Sequence, residues 1–195
     1  FMGSLLAGDN AAVPSPYDFA LGGKGLDPSL PGGVSGTLLQ AGQCFMVDMG
    51  GNFYGYMGDM SRVFSIGRLP EQAYTAHQTC IEIQEEIAAM AKPGTVCEDM
   101  YNKAIEIVTK AGFADYFMGV DQKAKFIGHG IGLEINEMPV LAPRMKQELE
   151  PGMVFALEPK IVLPGIGPVG IENSWAVTTD GLEKLTLCKE EIIEL

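Results

Sequence analysis

Two stretches of this 195-residue chain repeat one pattern roughly 110 residues apart. The first is Gly42-Gln43-Cys44-Phe45-Met46-Val47-Asp48, and the second is Gly152-Met153-Val154-Phe155-Ala156-Leu157-Glu158. Each reads glycine, two residues, phenylalanine, two apolar residues and an acid. A second match follows. Asp59-Met60-Ser61-Arg62-Val63-Phe64 and Glu172-Asn173-Ser174-Trp175-Ala176-Val177 both read acid, any residue, serine, then a strand. The repeat implies two copies of one strand pair, with an acid ending the first strand and another starting the second. Such a pair of copies suggests a pseudo-symmetric sheet, in which four acids can meet at one place.

Acids that end or start apolar strands need an explanation. A buried carboxylate loses its hydration, and neighbouring carboxylates repel, at an effective cost of roughly several kcal/mol each. Two divalent cations would neutralise Asp48, Asp59, Glu158 and Glu172 directly. A dinuclear centre with ions about 3.5–4 Å apart, bridged by carboxylates and a hydroxide, is one known solution. His129, set between two glycines in "GHGIGLEINEMP", fits as a neutral nitrogen ligand, with glycines on either side allowing close backbone approach. One nitrogen among oxygens suits Mn²⁺, Co²⁺, Fe²⁺ or Zn²⁺. The other histidine, His77, lies mid-helix among polar residues and reads as surface or as a satisfied core neighbour. The glycine run at 50–58 lacks the lysine and following helix of a phosphate loop.

Around these residues the chain reads as one mixed domain over 1–195. Strands are expected at 42–48 and 59–66, joined through "MGGNFYGYMG" as a hairpin with bulges. A helix is expected over 71–91, with Ala76, Cys80, Ile83, Ile87 and Met90 on one stripe and "KPG" ending it. Thr95 and Glu98 suggest a capping box for a second helix, which carries Met100, Ala104, Ile107 and Ala111 and stops at Gly112. Further strands are expected at 124–135, 153–163 and 169–178, with a last one in "KLTLCKEEIIEL". The first 35 residues read as a long ordered loop or two short strands. A net charge of −12 disfavours nucleic acid as a partner. Cys44, Cys80, Cys97 and Cys188 show no CxxC spacing and read as buried thiols of a reducing compartment. No apolar run reaches membrane-spanning length, so no membrane partner is expected and the expected location is cytoplasmic.

At "VDMGGNFYGYMGDMSRVF", "GHGIGLEINEMP", "PGMVFALEP" and "GIENSWAVT" the chain resembles the pita-bread metallopeptidases, which include prolidase, aminopeptidase P and methionine aminopeptidase. The resemblance runs from about residue 8 to 187 in the family's order. It implies an α+β pita-bread (creatinase/aminopeptidase) fold, a pseudo-two-fold antiparallel sheet with helices on its outer face. It also implies a dinuclear ligand set of Asp48, Asp59, His129, Glu158 and Glu172. The implied cofactors are two divalent ions, Mn²⁺ first. The implied activity is hydrolysis of small Xaa-Pro peptides, as an aminopeptidase or dipeptidase, by hydroxide attack on the amide carbonyl. A homodimeric assembly is admitted. The chain starts Phe1-Met2, and the resemblance implies that the family's first helices, and any N-terminal domain, precede it.

The resemblance departs at three positions. Asn136 stands where the family's peptidases carry a histidine near the substrate, Ser15 stands where another histidine is expected, and Gly170 replaces an arginine. All three are therefore candidate substrate-contacting positions. Asn136 can donate a hydrogen bond to an oxyanion but cannot carry a proton, so proton transfer would fall to a carboxylate, and the resemblance implies Glu158 for that role. A second reading is a pita-bread peptide-binding module, weak or inactive as an enzyme, that keeps its metal ligands. A creatinase-like hydrolase is disfavoured, because that type does without the ligand set.

Overall fold

The computed structural model of the protein describes residues 2–13, 21–27, 29 and 34–195. In chain order these form β1 (Met2–Ala7), β2 (Cys44–Phe53), β3 (Tyr56–Ser65), α1 (Glu71–Met90), α2 (Cys97–Lys110), β4 (Gly128–Gly130), β5 (Glu137–Val140), β6 (Val154–Leu157), β7 (Lys160–Leu163), β8 (Gly167–Gly170), β9 (Asn173–Val177), β10 (Leu182–Lys184) and β11 (Ile193–Glu194). One sheet has the order β1-β2-β3-β11, a second β10-β9-β6-β4-β5, and β7 and β8 form a two-stranded ribbon. An isolated bridge, Ser61 to Glu172, ties the first sheet to the chain between β8 and β9.

Both copies of the repeat are antiparallel pairs, β2 with β3 and β6 with β9. They differ in what joins the strands. In the first copy the glycine-rich stretch continues the ladder, pairing Gly50 with Asp59 and Gly51 with Gly58. Only Tyr54 and Gly55 turn, with φ 51° and 91°. Positive φ at both positions matches the right-handed twist of the strands, so no bulge is needed. In the second copy the expected long strands at 153–163 and 169–178 are each broken. β6 gives way to β7 at Glu158-Pro159, and β8 to β9 at Ile171-Glu172. Pro159 has no N–H to offer a ladder, and the chain leaves the five-stranded sheet for the β7–β8 ribbon there.

Helix α1 buries Ala76, Cys80, Ile83 and Ile87, and each of the two isoleucines contributes about 1.5–3 kcal/mol. Met90, at the last turn, is exposed. The helix packs on α2, β7 and β8. The capping box is absent. Thr95 Oγ1 instead accepts from the Lys92 N–H at 3.0 Å, and Glu98 accepts from the Arg144 N–H at 2.7 Å. The first N–H groups of α2 are satisfied from elsewhere, Cys97 by Gln147 O at 2.9 Å and Glu98 by Met145 O at 3.0 Å. The C-terminal stretch is two short strands, β10 on β9 and β11 parallel to β3. All four cysteines are free; Cys44, Cys80 and Cys97 are buried, and Cys188 is exposed.

Candidate metal centre

Each expected ligand is placed by a distinct backbone device. Asp48 lies in β2 opposite Ser61, and Asp59 in β3 opposite Gly50. His129 is the middle residue of β4, hemmed between β5 and β6. A Cβ at Gly128 would collide with Ala156 O, and one at Gly130 with Met138 O. The flanking glycines therefore admit the carbonyls of both neighbouring strands. Glu158 and Glu172 sit at the two strand breaks. Gln84 of α1 reaches both, donating through Nε2 to Leu157 O at 2.6 Å and Ile171 O at 3.2 Å. Those carbonyls belong to the residues just before the two glutamates. Its Oε1 accepts from Asn173 Nδ2 at 2.7 Å. Arg62 staples the other side, donating to Ser61 O and Glu172 O, both at 2.8 Å.

These devices bring all five residues together. His129 Nε2 lies 3.4 Å from Glu158 Oε1 and 3.9 Å from Asp59 Oδ2. Its Nδ1 is 3.1 Å from Gly130 O. A carbonyl only accepts, so Nδ1 carries the proton, and in the neutral ring the Nε2 lone pair faces the acids. Two groups that could hold a metal ion result, Asp59–His129–Glu172 and Asp48–Glu158–Glu172, each with donor atoms within 4.8 Å of one another. The first, with one imidazole and two carboxylates, fits a divalent transition ion.

The second group already has a cation in it. Lys160, fully buried, directs its Nζ to Glu158 Oε2 at 2.6 Å, Asp48 Oδ2 at 2.7 Å and Glu172 Oε2 at 3.2 Å. Sequence reasoning missed Lys160, Gln84 and Arg62. The available signal for Lys160 was a lysine opening the apolar run "KIVL" directly after Glu158 and a proline.

The charges respond to this packing. Burial would raise the Glu158 carboxyl, but the Lys160 ammonium and His129 hold it down at about 2. Burial, with repulsion from Asp48, pushes Asp59 up to about 7. Burial drives Glu172 well above the ordinary range despite Lys160. Burial opposes the charge on Lys160, yet three carboxylates overcome it and keep the ammonium protonated. The acids around His129 remain under-neutralised, which is the condition a bound cation would relieve.

His129 also opens onto a cleft of about 450 Å³, lined with Asn136, Glu137, Phe126, Met138 and Val140. Asn136 thus shares the cleft wall with His129, the histidine expected as a ligand. Gly170 does not line it. It lies buried in β8 opposite Lys160, and its N–H donates to His77 Nδ1 at 3.2 Å. Ser15 lies outside the described residues. Among the described residues, no helix is long and apolar enough to cross a membrane.

The model of metallopeptidase family M24 matches residues 1–179. The chain is 30% identical over 185 residues to an Xaa-Pro dipeptidase of Pyrococcus furiosus, covering 94% of this chain and 51% of that protein. It is 33% identical to the uncharacterized peptidase YqhT of Bacillus subtilis, covering 94% and 50%. An X-Pro aminopeptidase structure from Thermotoga maritima superposes with a TM-score of 0.83 at 27% identity, over 100% of this chain and 49% of that one. The chain thus spans about half the length of the curated relatives it matches. With the matched residues containing Asp48, Asp59, His129, Glu158 and Glu172, and with solved relatives that superpose along its whole length, the chain belongs to metallopeptidase family M24 and has its pita-bread fold.

Proposed function

We propose that this chain carries the site of a metal-dependent hydrolase acting on peptides with proline at the second position, as an aminopeptidase or dipeptidase. The observation that carries the reading is the convergence of Asp59, His129 and Glu172, whose donor atoms lie within 4.8 Å of one another, with His129 lining an apolar cleft. The activities by which relatives are named, Xaa-Pro dipeptidase and X-Pro aminopeptidase, supply the substrate class. Mn²⁺ is the proposed ion. When bound, a divalent ion here supplies Lewis acidity toward the amide carbonyl and lowers the pKa of water.

The chain's own residues do the rest. Phe126, Met138 and Val140 offer an apolar wall suited to a pyrrolidine ring. Asn136, on the same wall, donates a hydrogen bond to the carbonyl oxygen and holds the peptide in register. The Gly130 carbonyl fixes the His129 ring. Glu158, beside His129, is the proposed proton carrier between water and the leaving amine.

Asn136 also supports the second reading, a peptide-binding module, because it recognises without transferring protons. The test uses protein stripped with a chelator and assayed on Xaa-Pro dipeptides and longer Xaa-Pro peptides. Cleavage restored by Mn²⁺, and not restored in Asp59→Ala, supports the hydrolase. Peptide binding without cleavage in the Mn²⁺-loaded protein selects the binding module.

A further inference from the structure

The Lys160 ammonium sits on the same three carboxylates, Asp48, Glu158 and Glu172, that make up the second ligand group. An ammonium and a divalent ion cannot occupy one set of oxygens together. Lys160 is also held where it is. Its strand pairs with β8, where Gly170 stands directly opposite. Its carbonyl accepts from the Met118 N–H at 2.8 Å. A Cβ at Gly170 would lie 2.5 Å from Pro159 O, 2.8 Å from Lys160 Cα and 3.3 Å from Lys160 Cγ. The missing side chain at 170 therefore makes room for the lysine stem. Gly170 also has φ 141°, which favours glycine. The cation that the family resemblance places at 170 is absent, and a cation stands on the facing strand, turned toward the acids.

We propose that Lys160 is a built-in cation that takes the place of one of the two divalent ions. The chain then binds a single divalent ion, through Asp59, His129 and Glu172, and Asp48 serves the lysine rather than an ion. This departs from the two-ion expectation and rests on the metal-site reading above. The charges remain sensible, because the ion and the ammonium together face four carboxylates.

The experiment measures bound Mn²⁺ per chain by elemental analysis after equilibration and removal of free ion. Electron paramagnetic resonance reports whether bound ions are magnetically coupled. Wild type should hold about one uncoupled ion, and Lys160→Met, which keeps an apolar stem of similar length, about two coupled ions. Two variants that leave Lys160 in place make an independent test. Asp48→Asn should keep the single ion, whereas Asp59→Asn should lose it. Two coupled ions in wild type would overturn the inference and leave the metal-site reading standing. So would one ion in both wild type and Lys160→Met, or loss of the ion in Asp48→Asn. No ion in wild type overturns the single-ion inference as well. If Lys160→Met then gains ions, the metal-site residues are competent and the lysine blocks them; if it gains none, the metal-site reading falls too.

Discussion

At position 130 a methyl group has nowhere to go. The Cβ of an alanine there would meet the Met138 and Glu137 carbonyls, and at 128 it would meet Ala156 O and Leu141 Cδ1. Gly130→Ala is expected to cost about 1–3 kcal/mol through forced strand separation, read by urea denaturation, and to weaken Mn²⁺ binding by moving His129. Gln84→Leu keeps volume but takes the donor from Leu157 O and Ile171 O. It should cost about 1–3 kcal/mol and loosen both glutamates, so Mn²⁺ affinity should fall as well. That the four acids meet at one place was legible because carboxylates in duplicated apolar contexts have few explanations. Lys160 was not. Alternation along a strand sends every second side chain to solvent only when one face is wet, and β7 is buried at all four positions. Gln84 was hidden for a related reason, since a glutamine on a helix stripe gives no sign of the carbonyls it will meet.

Among the elements, α1 does more than cover the ribbon. His77 accepts from the Gly170 N–H at Nδ1, so its proton is on Nε2, donating to Glu190 O at 2.6 Å. Burial lowers its pKa below the ordinary 6.5. The folded state therefore prefers the neutral ring more than the unfolded chain does. That preference stabilises the fold fully above 6.5 and is lost as pH falls from 6.5 through the lower folded value. His77→Gln, which cannot titrate, should flatten the acid decline of stability across that window, measured as denaturation midpoint against pH. A parallel decline in variant and wild type would refute the assignment. Helix α1 was legible from the spacing of Ala76, Cys80, Ile83 and Ile87, and α2 from that of Met100, Ala104 and Ile107. The strand breaks at Glu158-Pro159 and Ile171-Glu172 were not, because hydrophobic runs carry no mark of which sheet a strand belongs to. The capping box failed at Thr95 and Glu98 because the chain at 145–147 supplies carbonyls that a local pattern cannot foresee.

For the whole molecule, the repeat foretold two strand pairs meeting at their acids. It did not foretell register, which pairs Asp48 with Ser61 in one copy and Leu157 with Asn173 in the other. Two separate consequences can be tested at this scale. If Asn136 orients the scissile carbonyl, Asn136→His should raise kcat on Xaa-Pro peptides by up to about 10²-fold, because imidazole can both donate and carry a proton. An unchanged rate in the Mn²⁺-loaded protein would remove Asn136 from the reaction. The most direct measurement of the central claim is anomalous diffraction from crystals grown with Mn²⁺. One strong peak is expected within coordination reach of Asp59, His129 and Glu172, with Lys160 Nζ still between Asp48 and Glu158. A peak among Asp48, Glu158 and Glu172 with Lys160 turned away, or no peak near any of these residues, would contradict the claim.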